Sequence, residues 1–189
     1  EPSFADIVSM IKDEALKFAP GTEAERSATN FLLLTEIVER VSGMSYKDFV
    51  TKNQIEYLGL THTVFAEDFS KLNYENLGES GGIHQLFKKD MLYVNPAEPA
   101  KSYDGEGNEI APISSSALRG FSDIWASAQD ISFWDIALAG SILIHSPENR
   151  KIIYAPWALP DGRKVPASAG WQFYGHSGFM DIKGSIPGY

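Results

Sequence analysis

The sequence predicts an α+β fold, because helical and strand signals occupy different parts of the chain. Apolar residues recur at helical spacing through the first 60 positions and again after residue 127, whereas the strand-like stretches gather between residues 171 and 185. Helices therefore come first and antiparallel strands close the chain.

Ser3-Phe4-Ala5-Asp6 has the spacing of a capping box with aspartate in place of glutamate. It predicts a helix to about Phe18 with Phe4, Ile7, Val8, Ile11 and Ala15 on its apolar face. Pro20-Gly21 predicts a tight turn, since proline presets one backbone angle and glycine tolerates the other. Ser27 then caps a helix whose apolar set, Phe31, Leu34, Ile37, Val38 and Val41, runs until Gly43 stops it. Ser45-Tyr46-Lys47-Asp48 repeats the capping device for a helix ending near Gly59. From Asn73 to Ser116 the pattern loosens; Gly81-Gly82, Pro96, Pro99 and Asp104-Gly105 mark loops, with a hairpin expected between Met91–Val94 and Ile110–Ile113. Ser127 and Asp130 cap a buried apolar helix to Ile144, and Ser146-Pro147-Glu148 starts a shorter one to Tyr154. Gly175-His176-Ser177-Gly178 is a hairpin turn between strands Trp171–Tyr174 and Phe179–Ser185. Trp125, Trp134, Trp157 and Trp171 are expected in the core.

A chain of 189 residues, 43% hydrophobic and 12% aromatic, suits one domain with a real core and argues against disorder. Its net charge of −9 disfavours nucleic acid and anionic membrane surfaces, both of which would be repelled. No apolar run reaches the roughly 18 residues of a membrane span; the longest, Ile131 to Ile144, is broken by Ser132, Asp135, Gly140 and Ser141. The absence of cysteine excludes disulfides and thiolate metal sites. His62, His84, His145 and His176 lack metal-ligand spacing, and Asp104, Glu106 and Glu109 fail the calcium-loop pattern, so no metal or other cofactor is expected.

Residues 24–28 fall at the mouth of the Ser27-capped helix, where unpaired N–H groups and the helix dipole favour an anionic substrate or a developing oxyanion. The same residues also suit an ordinary capped helix. Several motifs bear on the choice. Pro20-Gly21-Thr22, four residues, Ser27, and a helix closing on Val38-Glu39-Arg40-Val41-Ser42-Gly43 are followed by Tyr57-Leu58-Gly59-Leu60-Thr61-His62-Thr63-Val64-Phe65. Gly120-Phe121-Ser122 through Ser127-Ala128-Gln129-Asp130, Leu159-Pro160-Asp161-Gly162, Gly170-Trp171 and Gly184-Ser185-Ile186-Pro187-Gly188-Tyr189 come after them. In this order the motifs resemble the serine hydrolases related to β-lactamases and penicillin-binding proteins, on the class C β-lactamase-like esterase and peptidase branch. The resemblance covers nearly the whole chain, with residues 66–118 matching least.

The resemblance implies a helical layer packed on an antiparallel sheet, of which this chain is a middle segment. Residues 1–65 then form the helical layer, 66–118 an irregular region bordering the cleft, 119–158 further helices and 159–189 a hairpin of the main sheet. It also implies an acyl-enzyme mechanism on an ester, amide or lactam of a small molecule or peptide, and a periplasmic or extracellular setting. Three parts carry such chemistry: a Ser-x-x-Lys nucleophile, a Tyr-x-Asn box and a strand opening on Lys or His followed by Thr or Ser and Gly. The serine needs a neighbouring group to take its proton, and backbone N–H groups hold the oxyanion.

Ser9-Met10-Ile11-Lys12 matches the first part only formally, being too close to Pro20-Gly21 and within an amphipathic helix. The nucleophile segment is therefore expected outside this chain, in a missing segment of the same protein or a complementary chain. The second box falls on Arg26-Ser27-Ala28. Arginine cannot accept a proton, and alanine offers no amide to a substrate carbonyl. Arg26 instead suits a carboxylate or a developing negative charge, or else a surface pairing with Glu23 or Glu25. The third box falls on Ile182-Lys183-Gly184, with Ser185 giving the oxyanion N–H; His176-Ser177-Gly178 is the alternative register. Strand alternation keeps Lys183 off the face shared by Ile182 and Gly184, while Trp171 and His176 are candidates to line the cleft. The function expected is part of a β-lactamase-like serine hydrolase. Its alternative is an inactive homologue that serves as a binding or interaction module.

Overall fold

Side-chain caps set the helix boundaries in the first third of the protein. α1 spans Phe4–Ile11, α2 Ala28–Ser42 and α3 Tyr46–Val50 in a computed structural model that describes residues 4–71, 100–110, 119–165, 167–174 and 179–184. Ser27 accepts from the backbone N–H of Thr29 at 3.2 Å, and Gly43 closes α2 in the left-handed region at φ 70°. Ser45 accepts from the Asp48 N–H at 3.0 Å to start α3. The chain stays helical through a π-helical stretch, Thr51–Ile55, into α4, Glu56–Leu58, which Gly59 ends at φ 66°. Both serine caps and both glycine stops lie where the sequence predicts them.

α1 is shorter than expected. It ends at Ile11 and not near Phe18, with the Glu14 N–H turning back to the Ile11 carbonyl at 3.1 Å. Its apolar residues Phe4, Ile7, Val8 and Ile11 are only half-buried, so packing offsets little of the cost of extending the helix. The expected cap at Ser3 lies outside the described residues.

α2 buries a different stripe from the one its leucines predict. Leu32 and Thr35 are buried, whereas Leu34, Ile37 and Val41 are 53%, 54% and 83% exposed. The cause is a close approach by the turn at residues 119–121. Gly120 has φ +73°, and a Cβ there would overlap the Thr35 methyl and come within 3.0 Å of the Phe31 carbonyl oxygen. Only glycine tolerates both that backbone and that contact, so the Thr35 side of α2 receives the neighbour. The buried Thr35 hydroxyl is satisfied by the Leu32 carbonyl at 2.8 Å.

Strand β1, Thr63–Phe65, leads into a 3-10 turn, Ala66–Lys71. β2, Ser102–Tyr103, pairs with β3, Glu109–Ile110, and β4, Ile124–Ala126, returns antiparallel to β1 with Thr63 opposite Ala126. Ile110 is thus in a hairpin, but opposite Ser102; residues 91–94 and 111–113 of the expected pairing lie outside the described residues. The Asp104 carboxylate closes the hairpin turn by accepting from the N–H groups of Glu106 and Asn108, both at 2.9 Å.

α5, Ala128–Ala139, begins at the Ser127 cap, which accepts from the Asp130 N–H at 3.1 Å. Asp130 does more than cap. Its carboxylate, 3% exposed, accepts from the His62 N–H and the Thr63 hydroxyl, both at 2.8 Å, and so ties α5 to β1. α5 ends at Ala139 and not at Ile144: the Gly140 N–H returns to Ile136, Ser141 sits at φ 70°, and the Ile142 N–H folds back to Ala137. Nor is it wholly buried, because Ile131 and Ile136 are 54% and 63% exposed while Ala137 and Leu138 face the core. α6, Pro147–Ile153, follows the Ser146 cap as predicted.

Three strands, not two, make up the last sheet. β5, Ala167–Ser168, β6, Trp171–Tyr174, and β7, Phe179–Asp181, pair antiparallel in that order, with Tyr174 opposite Phe179. Ala169 and Gly170, at φ 48° and 90°, form the two-residue connection that adds β5; positive φ at both positions matches the twist of hairpin strands. β7 ends at Asp181, short of the Ser185 expected. Trp125, Trp134 and Trp171 are half-buried, and Trp134 donates to Gln54 at 2.8 Å. Trp157 is 60% exposed and does not fill the core. No helix among the described residues is long and apolar enough to cross a membrane.

Replacing Gly120 by alanine should cost about 3 kcal/mol, since strain and overlap act together at one position. Removing the Ser27 cap as Ser27→Ala should cost only about 1 kcal/mol. Urea midpoints of the two variants check this order; equal shifts would contradict the close approach at Gly120.

Candidate functional site

Two sequence motifs far apart in the chain meet at the entry to α2. The turn at Pro20-Gly21-Thr22 lies against that at Leu159-Pro160-Asp161-Gly162: a Cβ on Gly21, φ +83°, would sit 3.3 Å from the Pro160 ring. Arg163 fastens the contact by donating to the Thr22 carbonyl at 2.8 Å and to the Asp161 carboxylate at 2.7 Å. Beyond the turn, Glu25 accepts from Lys17 at 2.7 Å.

Arg26 therefore pairs with neither Glu23 nor Glu25. Its Nη1 donates to the Lys183 carbonyl at 2.7 Å, across 157 residues of chain. The guanidinium carbon lies 5.6 Å from the centre of the Phe31 ring and 5.3 Å from that of Phe121. Those rings are themselves 5.5 Å apart and inclined at 58°. Phe31 stands on the first turn of α2, and the Gly120 approach delivers Phe121 beside it. The result is an aromatic shelf under an exposed cation, a favourable arrangement for a guanidinium.

Through this contact the structure brings the Arg26-Ser27-Ala28 box beside Lys183-Gly184. Ser27 is half-buried, with its hydroxyl engaged as the α2 cap, and Ala28 opens the helix. Lys183 turns its ammonium back on its own sheet, 5.5 Å from the Tyr174 ring and 3.8 Å from Asp181. A hydrogen bond to Tyr174, and the charge of Asp181, hold its pKa above the ordinary lysine value, so it keeps its proton and has no lone pair to offer. Trp171 is half-buried against Tyr154, with ring centres 6.4 Å apart. Ser185 and His176 lie outside the described residues. Ser9 is exposed on α1, and Lys12 pairs with Asp13 at 3.8 Å and not with Ser9.

Sequence reasoning missed Phe31 and Phe121 as one shelf. The signal available was the glycine before Phe121, read only as the opening of a turn. Behind the shelf, Arg119 bonds Glu39 and lies 5.8 Å over the Tyr46 ring. Glu39 also accepts from the Tyr46 N–H at 2.7 Å. Burial pushes the Tyr46 hydroxyl up to about 12, with the Asp123 carboxylate adding to the rise and Arg119 opposing it. Burial likewise raises the Asp123 carboxyl above the usual carboxylate range, against hydrogen bonds from the Gly120 and Asp123 N–H groups.

The Beta-lactamase family model matches residues 1–185. Penicillin-binding protein 4* of Bacillus subtilis (strain 168) is 26% identical over 171 residues, covering 88% of this chain and 35% of that protein. Protein flp of Staphylococcus aureus (strain MRSA252) is 32% identical over 73 residues, covering 39% of this chain and 15% of flp. Among solved structures, the octameric penicillin-binding protein homologue from Pyrococcus abyssi superposes with a TM-score of 0.55 at 18% identity, covering 94% of this chain and 35% of that one. The penicillin-binding protein from Bacillus halodurans gives 0.55 at 16% identity, covering 94% and 46%. The α+β fold, incomplete relative to these structures, is the one the sequence predicts. This chain spans less than half the length of each of these proteins.

The raised Asp123 carboxyl gives the turn beneath the shelf a pH signature. Its folded pKa lies above the unfolded one, so its contribution to stability is complete below about pH 4 and is lost as pH rises through the folded value. Asp104, Glu148 and Asp161, whose carboxyls are held low by hydrogen bonds, act in the opposite sense, so urea unfolding across this range should show the Asp123 component as a difference in slope between wild type and variant. In Asp123→Asn that component of the slope should vanish; an unchanged slope would contradict the assignment.

Proposed function

This chain belongs to the β-lactamase family, and we propose that it forms part of a serine hydrolase that cleaves an ester, amide or lactam through an acyl-enzyme. The Arg26–Lys183 bond carries this reading, because it holds the helix mouth against the strand end. A carbonyl between them would lie beside the first turn of α2, whose Thr29 and Asn30 N–H groups are already engaged by the Ser27 hydroxyl and carbonyl, and beside the backbone at Gly184. The attacking serine and its lysine come from further chain outside these 189 residues. Exposed apolar side chains support that division: among the described residues Leu33, Leu34, Ile37 and Val41 lie exposed on α2, where an additional segment would pack.

A second reading is favoured by Arg26 and Ala28 themselves. With arginine and alanine in the box, the protein lacks there both a proton acceptor and an amide for the substrate, as expected of a homologue that binds without turning over. Intact-mass measurement after a fluorophosphonate or penicillin separates the two. The 189-residue chain alone should remain unmodified, whereas the chain together with its complementary segments should gain one covalent adduct. No adduct in that assembly would favour the binding homologue, and an adduct on Ser9 of the isolated chain would overturn the proposed division.

A further inference from the structure

We propose that Arg26 is a preformed docking point for a carboxylate, presented over the Phe31–Phe121 shelf at the mouth of α2. The assignment deepens the cleft reading above by naming the substrate class, and it rests on that reading for the identity of the cleft. A guanidinium carries five N–H donors in a planar fork. One nitrogen, Nη1, is engaged by the Lys183 carbonyl at 2.7 Å, while Nε and Nη2 donate to no group among the described residues.

Three features separate Arg26 from an ordinary surface arginine. It is held by one hydrogen bond, with the Phe121 and Phe31 ring centres 5.3 and 5.6 Å from the guanidinium carbon, contacts that restrict a side chain otherwise free to lose entropy on binding. Its charge is not neutralised within the described residues: Arg40, Arg119 and Arg163 each close on a carboxylate, Glu36, Glu39 and Asp161, whereas the neighbouring Glu25 is occupied by Lys17. It lies beside two aromatic rings, whose faces attract the cation while leaving it exposed to solvent. A planar cation with an open edge matches a planar anion that accepts two parallel N–H bonds, which is a carboxylate. In a chain of net charge −9, such a ligand is held by this local geometry and not by the overall field.

The test follows the Arg26 side-chain Nε–Hε resonance of the 189-residue chain while titrating N-acetylglycine, its neutral amide, and inorganic phosphate at matched ionic strength. The acid should shift and saturate the signal, the amide should bind at least about tenfold more weakly, and phosphate should be weaker than the acid. Backbone resonances of Phe31 and Phe121 give the readout for variants. Arg26→Gln should abolish the acid's effect, and Arg26→Lys, which keeps the charge but loses the fork, should retain only a small part of it. Equal shifts by acid and amide, or tighter binding by phosphate, would overturn the proposal, and the wild-type comparison alone decides this if a variant fails to fold. Discrimination between acid and amide without covalent labelling of the assembled protein would leave the carboxylate site standing and the hydrolase reading refuted. Labelling without discrimination would do the reverse.

Discussion

The arrangement of this protein depends on one hydrogen bond, from the Arg26 guanidinium to the Lys183 carbonyl. It joins the entry of α2 to the segment that follows β7, 157 residues further along the chain. The bond is directional because the guanidinium is planar, and its carbon lies 5.6 Å from the Phe31 ring centre and 5.3 Å from that of Phe121. An ammonium at the same position would satisfy the carbonyl but would lack the planar fork, so the spacing between helix mouth and strand end would be less strictly defined.

That clasp relies on the approach of a glycine to a threonine. Gly120 fits between the Thr35 methyl and the Phe31 carbonyl, and the fit turns α2 so that its Leu32–Thr35 side is buried and its Leu34, Ile37 and Val41 side is not. The turn at Gly120 delivers Phe121 to the shelf and, through Arg119 and Asp123, closes a polar network against Glu39 and Tyr46. Position, packing and electrostatics of the candidate site thus share one short segment, residues 119–123. Asp130 plays the corresponding part on the other flank, where one buried carboxylate holds β1 to α5.

Membership of the β-lactamase family sets what this arrangement is compared with, and the resemblance that puts the second box on Arg26-Ser27-Ala28 sets how far the proposed chemistry reaches. A side chain that cannot take a proton stands where the family resemblance places one that does. What it offers instead is a fixed positive charge and unspent donors, which is chemistry of recognition. Ser27 shows the same economy of role, its hydroxyl being engaged in starting the helix.

Local signals in the sequence determined what local physics decides: the serine caps at Ser27, Ser45, Ser127 and Ser146, the glycine stops at Gly43 and Gly59, and strands at 171–174 and 179–181. Each depends on one side chain or one backbone angle within a few residues of its effect. The motif order also made the family legible. Tertiary structure alone decided the buried side of α2, the length of α1, the termination of α5 at Ala139 and the third strand entered through Ala169-Gly170. It also decided the partner of Arg26. Periodicity in α2 pointed to the stripe of Phe31, Leu34, Ile37, Val38 and Val41, and the Gly120 contact buried Leu32 and Thr35 instead; likewise a charged residue beside Glu23 and Glu25 has a nearer partner in sequence than a carbonyl 157 positions away. Such choices are made by surfaces that meet only after the chain has folded.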